Sequence, residues 1–228
     1  MHDRLSPHVI GSMAWGSGLT ADHLFVSSEP TKKTFTGAHK VYDLGVQKEA
    51  YGFDAKEAGD SIAVDSTGRF VIKSHTLSFL MFFFFQTGSM LALCTQAESS
   101  RHVLRLYDVQ RRSSNAIISL DIVPFRTRWD DFEGEVNVAV FSPDGLYLAL
   151  SRNDNRTHLY DRRMLSKRRD STTTPLFDFA HSGESKMASV SEAYGVVNAE
   201  WVQSEWTRRA CLVTDGEDGK WGRCDALV

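Results

Sequence analysis

The residues that could do chemistry are scattered along this chain rather than grouped. His8, His23, His39, His75, His102, His158 and His181 share no metal-ligand spacing. Cys94, Cys211 and Cys224 form no Cys-x-x-Cys pair and no part of a zinc motif. Gly216–Lys220 echoes a phosphate loop but is not followed by a helical pattern, so it reads as a strand turn. A nucleophile elbow, the anchor of a hydrolase triad, is missing from the sequence. The expectation is therefore no catalytic residue, no bound metal and no cofactor. One charged cluster stands out: Arg162, Arg163, Lys167, Arg168 and Arg169. It reads either as a solvated loop between strands or as a patch for an acidic partner or nuclear import. Arg168-Arg169-Asp170-Ser171 resembles a basophilic kinase site, which makes the same loop a candidate regulatory segment centred on Ser171. Phosphate there would partly neutralise the arginines.

The elements that must position these residues are strands. Short runs of β-branched, aromatic and aliphatic residues recur between Gly, Asp, Asn, Ser and Pro, and helical periodicity is weak. The clearest unit runs from Val136 to Asp161. One strand covers Val136–Phe141, and Ser142-Pro143-Asp144-Gly145 then turns the chain, with Pro fixing φ and Asp-Gly tolerating positive φ. A second strand returns over Leu146–Ser151, Asn153-Asp154-Asn155 turns again, and a third strand ends at Tyr160-Asp161. Pro175–Phe179 supplies a fourth strand.

The unit repeats. Copies close at Tyr42-Asp43, at Tyr107-Asp108, at Tyr160-Asp161 and at Cys224-Asp225, and the turn aspartate Asp154 has its counterpart in Asp218. The blade-like units span about 8–55, 60–125, 134–180 and 194–225. Their closing aspartates lie further apart than the roughly 40–45 residues of a regular propeller repeat. The excess is assigned to polar loops at Lys48–Gly59, Arg111–Asn115 and Arg162–Thr174.

These repeats resemble WD-repeat (WD40-like) β-propeller blades. The resemblance rests on Phe141-Ser142-Pro143-Asp144-Gly145 with Tyr147-Leu148-Ala149, on Asp154 with Leu159-Tyr160-Asp161, and on Thr214–Gly219. Tyr42, Tyr107 and Tyr160 stand where the family has Trp, and Cys224 stands there in the last copy. The resemblance implies an all-β fold of four-stranded antiparallel blades, here an incomplete or divergent propeller across residues 1–228. It also implies a non-catalytic scaffold or adaptor that binds other proteins. A propeller enzyme with a central-channel site, and a truncated or mis-spliced product without independent function, are the alternatives.

Composition sets the outer limits. The 228 residues are 42% hydrophobic and 24% charged, an ordinary globular mixture that excludes collagen-like and wholly disordered classes. A net charge of −3 gives no electrostatic reason to expect nucleic acid or an anionic membrane as partner. The first residues carry no apolar signal-peptide core, so the expected setting is intracellular, cytoplasmic or nuclear. The atypical apolar insert is Val71–Gln86, with four consecutive phenylalanines that cannot alternate between core and solvent. Valine codons begin with GT, and Phe-Phe-Phe-Phe-Gln is what a pyrimidine tract followed by CAG encodes, so the insert reads as translated intron. A genuine loop insertion with a hydrophobic docking strip and a membrane anchor are the other readings.

Overall fold

The computed structural model describes residues 10–28, 36–65, 90–96, 101–125, 134–165, 174–181, 195–203, 209–216 and 221–224. These form strands, turns and two short 3-10 segments, Gly18–Thr20 and Arg162–Met164, arranged in four antiparallel sheets. Blade one is β1 (Ile10–Trp15), β2 (His23–Ser28), β3 (His39–Asp43) and β4 (Lys48–Gly52). Blade two is β5 (Ala58–Val64), β6 (Met90–Gln96), β7 (His102–Asp108) and β8 (Ile118–Asp121). Blade three is β9 (Val136–Phe141), β10 (Tyr147–Arg152), β11 (Arg156–Asp161) and β12 (Phe177–Ala180). Blade four is β13 (Val196–Gln203), β14 (Ala210–Gly216) and β15 (Trp221–Cys224). Each sheet is a meander in chain order. The all-β architecture of antiparallel blades expected from the repeats is what the chain adopts, as an incomplete propeller, with four strands in blades one to three and three strands in blade four among the described residues.

The Val136–Asp161 unit shows why. Gly145 sits at φ 67° and donates its N–H to Ser142 O at 2.8 Å, closing the turn. Asp144 Oδ1 accepts from Leu146 N at 2.9 Å, so the aspartate holds the turn from inside. Asn155 takes the left-handed conformation at φ 61° in the second turn, which Asn tolerates better than most residues. The strands between are Leu, Val and Ala rich, and Leu148, Ala149 and Leu150 are all fully buried. Three buried residues in succession mean that both faces of β10 are covered.

They are covered by neighbouring blades. Phe25, Val41 and Phe53 of blade one and its exit pack on Ile62, Leu91, Leu93 and Tyr107 of blade two. The opposite face of blade two, with Ala92, Leu104 and Leu106, packs on Ala139, Phe141, Leu148 and Leu150 of blade three. Ala149 and Leu159, on the far face of blade three, meet Ala199, Trp201 and Leu212 of blade four. The three clusters join blades in sequence, and none of them joins the fourth to the first.

One expectation needs correcting. Lys48–Gly59, assigned to a polar loop, contains β4 and the start of β5. Lys48, Glu49 and Ala50 are exposed, because the outermost strand of a blade pairs on one side only and faces water on the other. Its sequence therefore lacks the apolar alternation by which a strand is recognised. The loop Arg162–Thr174 likewise begins with a 3-10 turn. Val71–Gln86 lies outside the described residues.

Buried polar groups hold the connection from blade one to blade two and the connection from blade two to blade three. His39 Nε2 donates to Glu57 O at 2.9 Å, which makes Nδ1 the acceptor for the Ser27 hydroxyl, also at 2.9 Å. Arg105 donates to Thr95 Oγ1 at 2.5 Å and to Glu57 Oε1 at 2.6 Å, spanning β6, β7 and that same connection. Burial pushes the Glu57 carboxyl up, but its backbone hydrogen bonds and Arg105 outweigh this and hold it below the usual range. Gly59 fits beneath this group because it lacks a side chain: a Cβ there would lie 1.7 Å from Ser27 Oγ.

The second connection is held by Arg152, which is 0% exposed. Its guanidinium grips Asp154 with two hydrogen bonds, at 3.0 and 2.6 Å. It also donates to Val123 O at 2.9 Å and Pro124 O at 3.1 Å, and stacks 4.0 Å above the Phe125 ring. A buried charge is tolerated only when its hydrogen-bonding capacity is met, and here it is. His158 Nδ1 lies 3.0 Å from the same guanidinium. Burial, reinforced by the Arg152 charge, lowers the His158 pKa to about 4. Burial likewise lowers His39.

Two predictions follow from these connections. Gly59→Ala should destabilise the fold by about 1–3 kcal/mol, because its methyl displaces Ser27 from His39; the midpoint of urea unfolding measures it. His158 is neutral when folded and binds a proton near pH 6.5 when unfolded, so its stabilisation is complete above pH 6.5 and is lost as pH falls toward 4. Asp60, whose carboxyl is pushed up by burial, contributes with the opposite sign. The readout is therefore the difference between wild type and His158→Asn: between pH 7 and pH 4 the wild type should lose about 2–3 kcal/mol more than the variant.

Candidate interaction surfaces

The propeller's first and third strands run the same way, so their ends lie on one rim with the turns that follow them. The repeated Tyr-Asp dipeptides end the third strands. Asp43 Oδ1 accepts from Gly45 N at 2.9 Å and Val46 N at 3.2 Å. Asp108 Oδ1 accepts from Gln110 N at 3.1 Å and Arg111 N at 3.2 Å. Asp161 Oδ1 accepts from Arg163 N at 2.9 Å. In each of these three blades the aspartate fixes the turn into the outer strand through its own side chain. The tyrosines beside them differ in burial. Tyr107 is 0% and Tyr160 1% exposed, whereas Tyr42 is half-buried. The Tyr107 hydroxyl donates to Asp54 Oδ1 at 2.9 Å, and burial, with that carboxylate, pushes its pKa far up. Burial does the same to Tyr160. Asp154 belongs to the opposite rim, where it neutralises Arg152. Asp218 and Asp225 lie outside the described residues.

The basic cluster divides. Lys167, Arg168, Arg169 and Ser171 lie outside the described residues. Arg162 and Arg163 are both engaged with carboxylates. Arg163 donates to both oxygens of Asp161, at 3.0 and 2.7 Å, and this pairing holds the Asp161 carboxyl below its usual range. Arg162 reaches across to blade two, where Nη1 donates to Asp65 Oδ2 at 3.1 Å. Asp65 is 1% exposed and collects contacts from three blades. Ser17 Oγ of blade one donates to its carbonyl at 3.1 Å, its own N–H donates to Met90 O at 2.9 Å, and Arg162 comes from blade three. The sequence pattern did not single out Asp65. Its one signal was position, directly after an apolar strand at the place where Gly16 and Ser142 follow theirs.

The exposed part of this rim is apolar as well as basic. Leu44 and Val46 project from the Asp43 turn, and Met164 projects from the Asp161 turn at 78% exposure. Arg111 and Arg163 flank them in the corresponding turns of blades two and three. Rigid turns that carry exposed aliphatic groups beside guanidinium groups suit a protein surface. They offer no convergence of titratable groups on one cavity. Among the described residues no group of three or more His, Cys, Asp or Glu is placed to hold a metal. Cys94 is fully buried, and burial pushes its thiol well up. Among the described residues no helix is long and apolar enough to cross a membrane.

No family model matches the sequence, and no curated protein matches it. Solved structures do. The Dos1 propeller superposes with a TM-score of 0.58 at 17% identity, over 93% of this chain and 42% of that one. A chain in the crystal structure of the mitotic checkpoint complex superposes with a TM-score of 0.51 at 16% identity, over 95% of this chain and 51% of that one. This chain thus spans about half the length of the solved chains it matches. The likeness concerns the fold, and it agrees with the four blades: the chain has an incomplete β-propeller fold.

Proposed function

We propose that this chain is a non-catalytic scaffold that binds other proteins through the rim formed by its Tyr-Asp turns. The observation that carries the reading is the pairing of rigidity with exposed apolar surface. Asp43 and Asp161 fix their turns by accepting backbone hydrogen bonds, and those same turns hold Leu44, Val46 and Met164 out in solvent. An aliphatic group held in place binds with less entropic cost than one on a mobile loop. The flanking Arg111 and Arg163 are each paired with the aspartate of their own turn, so the exposed aliphatic groups carry the reading. The WD-like character of the repeats, and the propeller fold of the matched structures, support an interaction role. Scaffold assignments rest on sites rather than folds, so the rim is the part to test.

Val46→Asp and Met164→Asp are suitable variants because both side chains are exposed and leave the blades intact. Each should reduce recovery of proteins captured stoichiometrically by the wild-type chain by about tenfold or more, since a central interface residue contributes about 2 kcal/mol or more. Circular dichroism and unfolding midpoints should not change. Wild-type chain captured repeatedly without a stoichiometric partner, or partners retained by both variants, would overturn the reading.

A further inference from the structure

The turn between β7 and β8 carries a charged sequence that the blades do not need. Arg111-Arg112-Ser113-Ser114 has the spacing of Arg168-Arg169-Asp170-Ser171, with arginines three and two residues before a serine. Arg111 and Arg112 are both exposed. Paired guanidinium groups before an acceptor hydroxyl suit the carboxylate-lined cleft of a basophilic kinase. The second of these segments reaches outside the described residues, and the first lies within them.

The structure distinguishes the two serines. Ser113 is half-buried, and its hydroxyl is engaged within the turn: it donates to Asn115 O and accepts from Asn115 N, both at 3.2 Å. Ser114 is exposed, and it holds the turn through its backbone carbonyl, which accepts from Asp54 N at 2.9 Å. A phosphate on Ser113 would displace Asn115. A phosphate on Ser114 would enter a surface already in water.

The turn can also be drawn into a cleft. Val109 and Ala116 pack against the core between blades one and two and anchor its two ends. The residues between them lie beyond the β7–β8 ladder, which ends at the Leu106–Ile118 pair. Arg112 sits at φ 48°, a conformation that costs arginine energy, so extending the turn relieves strain there. Arg111 pairs with Asp108 at 3.1 Å but is 83% exposed, and an exposed pair yields readily to a second carboxylate.

We propose that Ser114 is a phosphorylation site for a basophilic protein kinase, with Arg111 and Arg112 as its recognition residues. The Ser114 oxygen attacks the γ-phosphorus of ATP. The Oγ–P bond forms, the bond from that phosphorus to the bridging oxygen breaks, ADP leaves, and the hydroxyl proton passes to the kinase's carboxylate base. The product carries about −1.5 to −2 charges on a side chain that was neutral. This turn follows Asp108, and its equivalents follow Asp43 and Asp161, so the modification changes the charge of that rim whether or not the rim binds a partner.

The test uses the chain carrying Ser171→Ala, which removes the other acceptor of the same spacing. It is incubated with ATP, magnesium and the catalytic subunit of cyclic-AMP-dependent kinase, and phosphate is mapped by tandem mass spectrometry. The expected product carries one phosphate, on Ser114. Adding Ser114→Ala should abolish it, and Arg111→Ala and Arg112→Ala should each lower kcat/KM about tenfold or more. All three side chains are exposed, so circular dichroism should not change. A further variant, Ile62→Val, loosens the core without touching the turn, and the rate at Ser114 should stay the same. A rate about 2–10-fold higher in Ile62→Val would overturn the proposal, because the kinase would then be acting on unfolded chain. So would no phosphate, phosphate on Ser113, or phosphorylation of Ser114 at an undiminished rate in both arginine variants.

Discussion

A propeller blade is a sheet with two apolar faces, and this single constraint organises the molecule. One strand cannot hide both of its faces, so each sheet must lie between two others. Leu148, Ala149 and Leu150 show the consequence at the level of sequence: three successive core residues in a strand, where a sheet with one wet face would alternate. Leu148 and Leu150 belong to one neighbour and Ala149 to the other. A substitution in β10 is therefore felt in two interfaces, and the loss of one blade leaves apolar surface on its neighbour. Met13 and Trp15, on the face of blade one turned away from blade two, are exposed.

Apolar contact between sheets is not directional, and something must fix how one blade sits on the next. The buried polar groups do so. Arg152 holds Val123 and Pro124 by their carbonyls, His39 holds Glu57 by its carbonyl, and Asp65 gathers Ser17 and Arg162 from the blades on either side. Each joins segments that are distant in sequence, and each lies at a rim where backbone groups would otherwise be left without partners. Replacing such a network with apolar side chains could preserve stability while losing the angle between blades. The rim that presents Leu44, Val46 and Met164 depends on that angle.

What the sequence disclosed was what is decided locally. The meander from Val136 to Asp161 was legible because Pro143, Gly145 and Asn155 fix the backbone by their own covalent structure, and the strands between carry a dense apolar signal. The Tyr-Asp endings were legible as repeats, though not as the turn-locking acceptors they turn out to be. Strand β4 was not legible: an outermost strand has a wet face and no apolar pattern, so Lys48-Glu49-Ala50 reads as loop. Arg152 was not legible either. An arginine at a strand end is ordinarily solvated, and nothing near it in sequence announces the carbonyls of Val123 and Pro124 or the ring of Phe125. The basic cluster shows the reverse error of reading charge from sequence alone, since Arg162 is spent on a buried aspartate nearly a hundred residues upstream.

The same distinction explains why the rim carries the functional reading and the strands do not. Positions that build a blade are fixed by packing on both sides, so the fold can vary them only in concert. The turns after Asp43, Asp108 and Asp161 have their backbone held by one aspartate each, which leaves Leu44, Val46 and Met164 with no part in holding the turn. Leu44, Val46, Arg111 and Met164 touch water rather than core. A propeller thereby separates the residues that make the surface rigid from the residues that make it specific. In the proposed reading, the first set is the aspartates, and the second is the handful of aliphatic groups that their turns hold in solvent.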